Sequence, residues 1–181
     1  KGIPFIYQGQ ELGMENTVFQ SIDDVDDVST LEEYRVAMEA GLSPEESLKA
    51  VNHYSRDNTR TPFQWSGEDQ AGFTAGTPWL KVNPNYHQIN AREQEGREDS
   101  VLSFYKKLIK IRKDPSLEDA LVYGRTEAVL EDEKDLMAYF RRGQERDVLV
   151  LGNFREEKIR VSLSELEGKE IRILLNNGKY S

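Results

Sequence analysis

The sequence predicts an α/β segment followed by an all-β one, on three observations. Gly2-Ile3-Pro4-Phe5-Ile6-Tyr7 is a short apolar run closed by Gln8-Gly9-Gln10-Glu11. Within 29–54 and again within 100–115, apolar residues recur at helical spacing. From Leu121 onward the period changes to two, with short polar turns between the runs.

An apolar run ending in glycine and polar groups suits a strand buried on both faces of a parallel sheet, although the run by itself also fits a loop. Two helices follow an acidic stretch, Asp23-Asp24-Val25-Asp26-Asp27-Val28. Ser29 with Glu32 makes a capping box for a helix through Ala40, where Gly41 supplies the stop. Ser43-Pro44-Glu45-Glu46 is a stronger start, with serine at the N-cap and proline in the first turn. Leu48 and Val51 carry its apolar face towards Tyr54.

A loop-rich region follows Trp65, punctuated by Gly67, Gly72, Gly76, Pro78 and Pro84. Phe73, Trp79 and Tyr86 are spread through it, either as a floor for a sugar ring or as anchors for an irregular loop. Ser100 or Asp99 then caps an amphipathic helix with Val101, Phe104, Tyr105, Leu108, Ile111 and Arg112 on one stripe, ended by Pro115. Beyond it, 136–140 and 148–151 read as strands buried on both faces or nearly so. Residues 158–163 and 170–175 alternate cleanly, as strands with one wet face. The whole is an antiparallel meander.

Composition narrows the function. At 181 residues the chain holds one ordinary domain or two small ones. A formal charge of −9 disfavours nucleic acid and anionic membrane as partners, because both present phosphates. No apolar run approaches the ~20 residues of a membrane span. The absence of cysteine removes disulfides and thiolate metal sites and fits a reducing, cytoplasmic location. The acidic stretch lacks the alternating ligands, central glycine and distal glutamate of a calcium loop, so it reads as a solvated loop. His53 and His87 stand alone, and neither is assigned to catalysis or a metal. No cofactor is expected.

The densest chemistry lies in Arg56-Asp57-Asn58-Thr59-Arg60-Thr61-Pro62-Phe63-Gln64-Trp65. Arg56 and Arg60 are planar, permanently charged forks able to grip a carboxylate or paired hydroxyls, and Asp57 and Asn58 stand between them as partners. Pro62 stops any helix and biases Thr61 towards extended backbone, so the segment is a structured loop. On spacing alone it also fits a surface loop whose arginines pair with some of the many carboxylates.

This stretch, preceded by GIPFIYQGQELGM and followed by AGFTAGTPWLKVNPNYHQIN, resembles the C-terminal third of the oligo-1,6-glucosidase branch of glycoside hydrolase family 13. The resemblance runs from Lys1 to about Leu175 and rests on three long motifs in order. It implies that residues 1–116 are the end of a (β/α)8 barrel: strand 8, a helical excursion and helix 8. Residues 117–181 are then a C-terminal antiparallel β-sandwich domain, with the family's last strands lacking after Ser181. The chain opens at Lys1 with no initiator Met or signal-peptide pattern, so a piece of a longer chain is expected.

Active sites of such barrels sit at the C-terminal ends of the strands, which puts Gln8, Gln10 and Glu11 near the site. Glu11 is expected to hold loop backbone or an arginine rather than to react, because many supporting groups surround few reacting ones. Retaining hydrolysis needs two carboxyl groups about 5–5.5 Å apart. In the family both of these, and an auxiliary aspartate, lie on earlier strands, so no residue here takes a catalytic role. Arg56 matches the family arginine that pairs with a barrel aspartate at the non-reducing end of the sugar, and Arg60 matches the loop's second arginine. Asp57 supports them.

The resemblance thus implies an α-glucosidase acting on terminal α-linked glucose, α-1,6 in the first instance, of short oligosaccharides. Trehalose-6-phosphate hydrolases, dextran glucosidases and sucrose isomerases share the loop. A non-catalytic homologue, of the kind that serves amino-acid transporters, is disfavoured by the intact arginine loop. A free-standing carbohydrate-binding module leaves the barrel-derived half without a purpose. The isolated stretch is expected to be inactive and to self-associate.

Overall fold

The structure is a computed structural model that describes residues 2–177. It divides into two compact units, one of Phe5–Phe104 and the other of Lys1–Pro4 with Tyr105–Ser181.

The first unit is a set of helices and turns stitched together by side-chain amides. Helix α1 (Val28–Glu39) and helix α2 (Pro44–Asn52) form its regular part. Short helix α3 (Ala91–Gln94) follows the long loop, and α4 (Val101–Arg112) begins where the Ser100 hydroxyl accepts the Ser103 N–H. The α2 start is as the sequence predicts. Ser43 and Glu46 cap each other's backbone and Pro44 fills the first turn. The α1 start is not. Its N-cap is Asp27, which accepts the Thr30 N–H, while Glu32 turns to Arg35 instead of closing a box with Ser29. Aspartate is as good a cap as serine, and here it gains a further partner described below.

Leu12, Phe19, Val25, Val51, Ala71 and Leu80 form the apolar core of this unit. Much of the rest of its interior is polar: Ser47, Asp57, Gln64, Ser66 and Asn90 are also buried. Irregular backbone carries N–H and C=O groups that need partners, and amides supply both a donor and an acceptor. Asn52 exchanges two hydrogen bonds with the backbone of Phe19, at 2.9 and 3.0 Å. Asn58 accepts from the Thr17 N–H and donates to the Asn52 carbonyl, and Gln94 donates to the carbonyl of Leu12. These bonds span the loop from both sides.

The expected strand at Ile3–Tyr7 does not form. No strand is present there among the described residues, and Ile3 and Phe5 are 81% and 90% exposed. A parallel strand needs neighbours on both sides to satisfy its backbone, and none pairs with this run. The run ends as predicted at Gly9, whose φ of 89° turns the chain into a short 3-10 turn at Gln10–Leu12. The apolar stripe of α4 is likewise not fully buried at any position.

The second unit is built on an antiparallel sheet of β1 (Arg125–Ala128), β2 (Leu136–Arg142) and β3 (Asp147–Asn153), in that order. Arg125 lies opposite Arg142, and Phe140 opposite Leu149, which puts Ala138 and Phe140 in a small core with Leu117 and Ala120. Strands β2 and β3 extend the two apolar runs read from the sequence, whereas β1 was not expected. Residues 158–163 and 170–175 form no strand, so a second sandwich layer is absent among the described residues. Their alternation creates a face without a sheet to cover, and Ile171 and Ile173 remain exposed. Arg142 anchors the sheet end by ion pairs to Glu127, Asp147 and Glu165, at 2.8, 2.7 and 2.5 Å. No helix of the described residues is long and apolar enough to cross a membrane.

Candidate functional site

The loop at Arg56 folds as a 3-10 turn, Arg56–Thr59, entered through Ser55, whose hydroxyl accepts the Asp57 N–H. Asn58 and Tyr7 fix its far side. The Tyr7 hydroxyl donates to the Thr59 carbonyl at 3.0 Å, and Asn58 is held by the two bonds already described. The turn presents both arginines outward over two buried carboxylates.

Asp57 is the first of these and is fully buried, at 0% exposure. One carboxylate oxygen accepts the backbone N–H groups of Asp26 and Asp27, at 2.7 and 2.9 Å. The other accepts from Arg60 at 3.2 Å. Asp57 therefore clamps the start of α1 to the arginine turn. The second is Asp27, at 3% exposure. Its Oδ2 accepts from the Thr30 N–H and hydroxyl, at 3.1 and 2.7 Å. Its Oδ1 faces Nε and Nη2 of Arg56, both at 3.1 Å, and lies 3.8 Å from Arg60. Burial pushes the Asp27 carboxyl up, yet the Thr30 donors and then the two guanidinium groups hold it below the ordinary aspartate value.

Arg56 is thereby fixed along one edge. Nη2 also meets the Ser29 hydroxyl at 2.6 Å, while its side chain is 61% exposed and Nη1 has no hydrogen bond among the described residues. Charges in the cluster balance, two carboxylates against two guanidinium groups. What remains available is a rigid donor edge facing solvent, suited to a hydroxyl or a carboxylate.

The acidic stretch thus departs from the solvated loop that the sequence suggests. Asp27 is buried under Arg56, Asp24 meets Lys81 at 2.5 Å, and Asp26 accepts from the Trp79 indole at 3.0 Å. Sequence reading missed Asp27, Ser29 and Thr30 as partners of the arginine loop. A signal existed in the D-x-x-T cap pattern at Asp27–Thr30, about thirty residues before two closely spaced arginines.

Glu11 lies in the Gln10–Leu12 turn, and its Oε2 is buried with no hydrogen-bond partner among the described residues. Trp79 is an exposed ring tethered through its indole, and Tyr86 stacks on His87 at 3.9 Å between centroids. Trp79, Tyr86, Lys81 and Asp24 line an open recess of about 1560 Å³, which neither Arg56 nor Arg60 lines. No group of histidine and carboxylate side chains able to hold a metal occurs among the described residues.

Residues 1–124 match the alpha amylase catalytic domain model. The chain belongs to the alpha-amylase family, glycoside hydrolase family 13. It is 40% identical over 98% of its length to an oligo-1,6-glucosidase of Bacillus cereus, of which it covers 32%. Among solved structures, a trehalose-6-phosphate hydrolase of Bacillus licheniformis superposes with a TM-score of 0.90 at 41% identity, over 98% of this chain and 32% of that one. An isomaltulose synthase of Erwinia rhapontici, solved with its natural substrate sucrose, gives 0.76 at 48% identity, over 85% of this chain and 27% of that one. The chain thus spans less than a third of the length of these family members.

Proposed function

We propose that this chain is the C-terminal part of a retaining α-glucosidase that removes terminal α-1,6-linked glucose from short oligosaccharides. Residues 1–116 supply the end of its barrel and residues 117–181 its C-terminal sheet domain. Arg56 and Arg60 bind the substrate, Asp57 supports them, Glu11 is a supporting group for a partner in the rest of the protein, and the reacting carboxylates belong to that rest as well. One observation carries the reading: a guanidinium fixed by the buried Asp27 presents a free donor edge at the surface of a rigid turn.

A terminal-glucose enzyme must distinguish a chain end from a chain interior, and the end alone has a free 4-hydroxyl. A guanidinium donates to this oxygen while the barrel carboxylate paired with it accepts the hydroxyl proton, so a substituent on the oxygen removes that second hydrogen bond and meets a wall. In the full-length protein, Arg56→Lys keeps the charge and loses the fork. It is expected to lower kcat/KM for isomaltose ~100-fold, about 3 kcal/mol. Lys49→Ala, on the exposed side of α2, serves as the control. Near-normal turnover by a folded Arg56→Lys protein rejects the sugar clamp. Faster turnover of trehalose 6-phosphate than of isomaltose, or conversion of sucrose to an isomer, replaces the proposed specificity with that of the corresponding relative.

A further inference from the structure

We infer that Asp27 is a positioning residue for the arginine clamp, setting the plane and reach of Arg56 without touching substrate; this rests on the proposed sugar-binding role of Arg56. An exposed arginine side chain has several rotatable bonds and samples many rotamers, so a fork that must meet a hydroxyl at one angle needs something to hold it. Asp27 meets that requirement. Its Oδ1 accepts from Nε of Arg56 and pairs electrostatically with Nη2, whose hydrogen bond goes to the Ser29 hydroxyl, so two acceptors along one edge define the guanidinium plane as a single contact would not.

Asp27 is itself held on every side. Thr30 holds Oδ2 through two hydrogen bonds, and the Thr30 hydroxyl also lies 3.1 Å from the Ser55 hydroxyl. Asp57 grips the backbone N–H of Asp27 from below, at 2.9 Å. The start of α1 is therefore a rigid pedestal under a side chain that is otherwise exposed. The arrangement exceeds what capping needs. An N-cap uses one side-chain oxygen, and here the second oxygen is turned to the arginine. The charged groups facing Asp27 are Arg56 and Arg60, with Asp57 reaching its backbone.

The test is a double-mutant cycle in the full-length protein with isomaltose as substrate. Asp27→Asn is expected to lower kcat/KM about tenfold when Arg56 is present and less than about twofold in the Arg56→Lys background. A merely structural role gives equal losses in both backgrounds, and that result overturns the inference. A tenfold loss confined to the arginine background supports it. If Arg56→Lys alone is near normal, the clamp reading fails first; if it is strongly impaired while Asp27→Asn is not, only the positioning role fails. Should Asp27→Asn not accumulate as folded protein, Thr30→Val removes one of the two donors to Oδ2 and leaves the carboxylate in place. It must lower kcat/KM about threefold in the arginine background only, and an equal loss in both backgrounds again overturns the inference.

Discussion

Asp27 shows how one side chain joins structure to the candidate site. Its folded-state pKa lies below the ordinary aspartate value despite burial, because Thr30, Arg56 and Arg60 outweigh the loss of water. A depressed carboxylate pKa contributes stability above the unfolded value and loses it as pH falls through the folded one. The window therefore opens near the ordinary aspartate pKa of about 3.9 and extends below it. Thermal melts of wild type and Asp27→Asn should differ at neutral pH by about 1–3 kcal/mol, an amount moderated by the exposure of Arg56. The difference should shrink below pH of about 4. A gap that stays constant down to acid pH means that the charge on Asp27 contributes nothing to the fold.

Helices α1 and α2 start by different chemistry, and substitution separates them. Ser43 makes a reciprocal cap with Glu46, whose carboxyl is held below its usual range first by the Ser43 hydroxyl and then by its backbone N–H. Removing this cap as Ser43→Ala should cost about 1 kcal/mol in a denaturant melt. Ser29 lies inside α1, not at its cap, and its hydroxyl meets an exposed arginine. Ser29→Ala should change stability by less than about 0.5 kcal/mol. Equal costs for the two serines would place the α1 cap at Ser29 after all. The loop between α2 and α3 depends instead on amides such as Asn52 and Asn58, where few regular bonds exist.

At the scale of the molecule, exposed apolar segments dominate behaviour in isolation. Ile3, Phe5, Ile171 and Ile173 all face solvent, and unpaired extended backbone near them is a template for association. The 181-residue chain expressed alone should scatter light as an oligomer. It should also release nothing from a chromogenic α-glucoside above a buffer blank, because the proposed function puts the reacting carboxylates in the rest of the protein, and binding groups alone give no transition-state stabilisation. Turnover that survives repurification would move the chemistry into this chain. A monomer by light scattering, with slow amide exchange throughout residues 3–7, would contradict the expected association.

Family, helix α2, the extents of α1 and α4 and the two long strands were legible in the sequence, because each depends on residues close together in the chain. A capping box spans four residues, a helical stripe repeats every three or four, and an apolar strand run is contiguous. The same local logic overreached at Ile3–Tyr7 and at 158–175, where a strand pattern exists but no neighbouring strand satisfies its backbone. Tertiary structure alone decided that Asp27 pairs with Arg56 and that Asp57 clamps the start of α1, since both pairings join residues about thirty positions apart. A run of four aspartates looks solvated until a distant loop brings two arginines over one of them and excludes the water. Burial and partnership of a charge are properties of that meeting, and no local pattern encodes it.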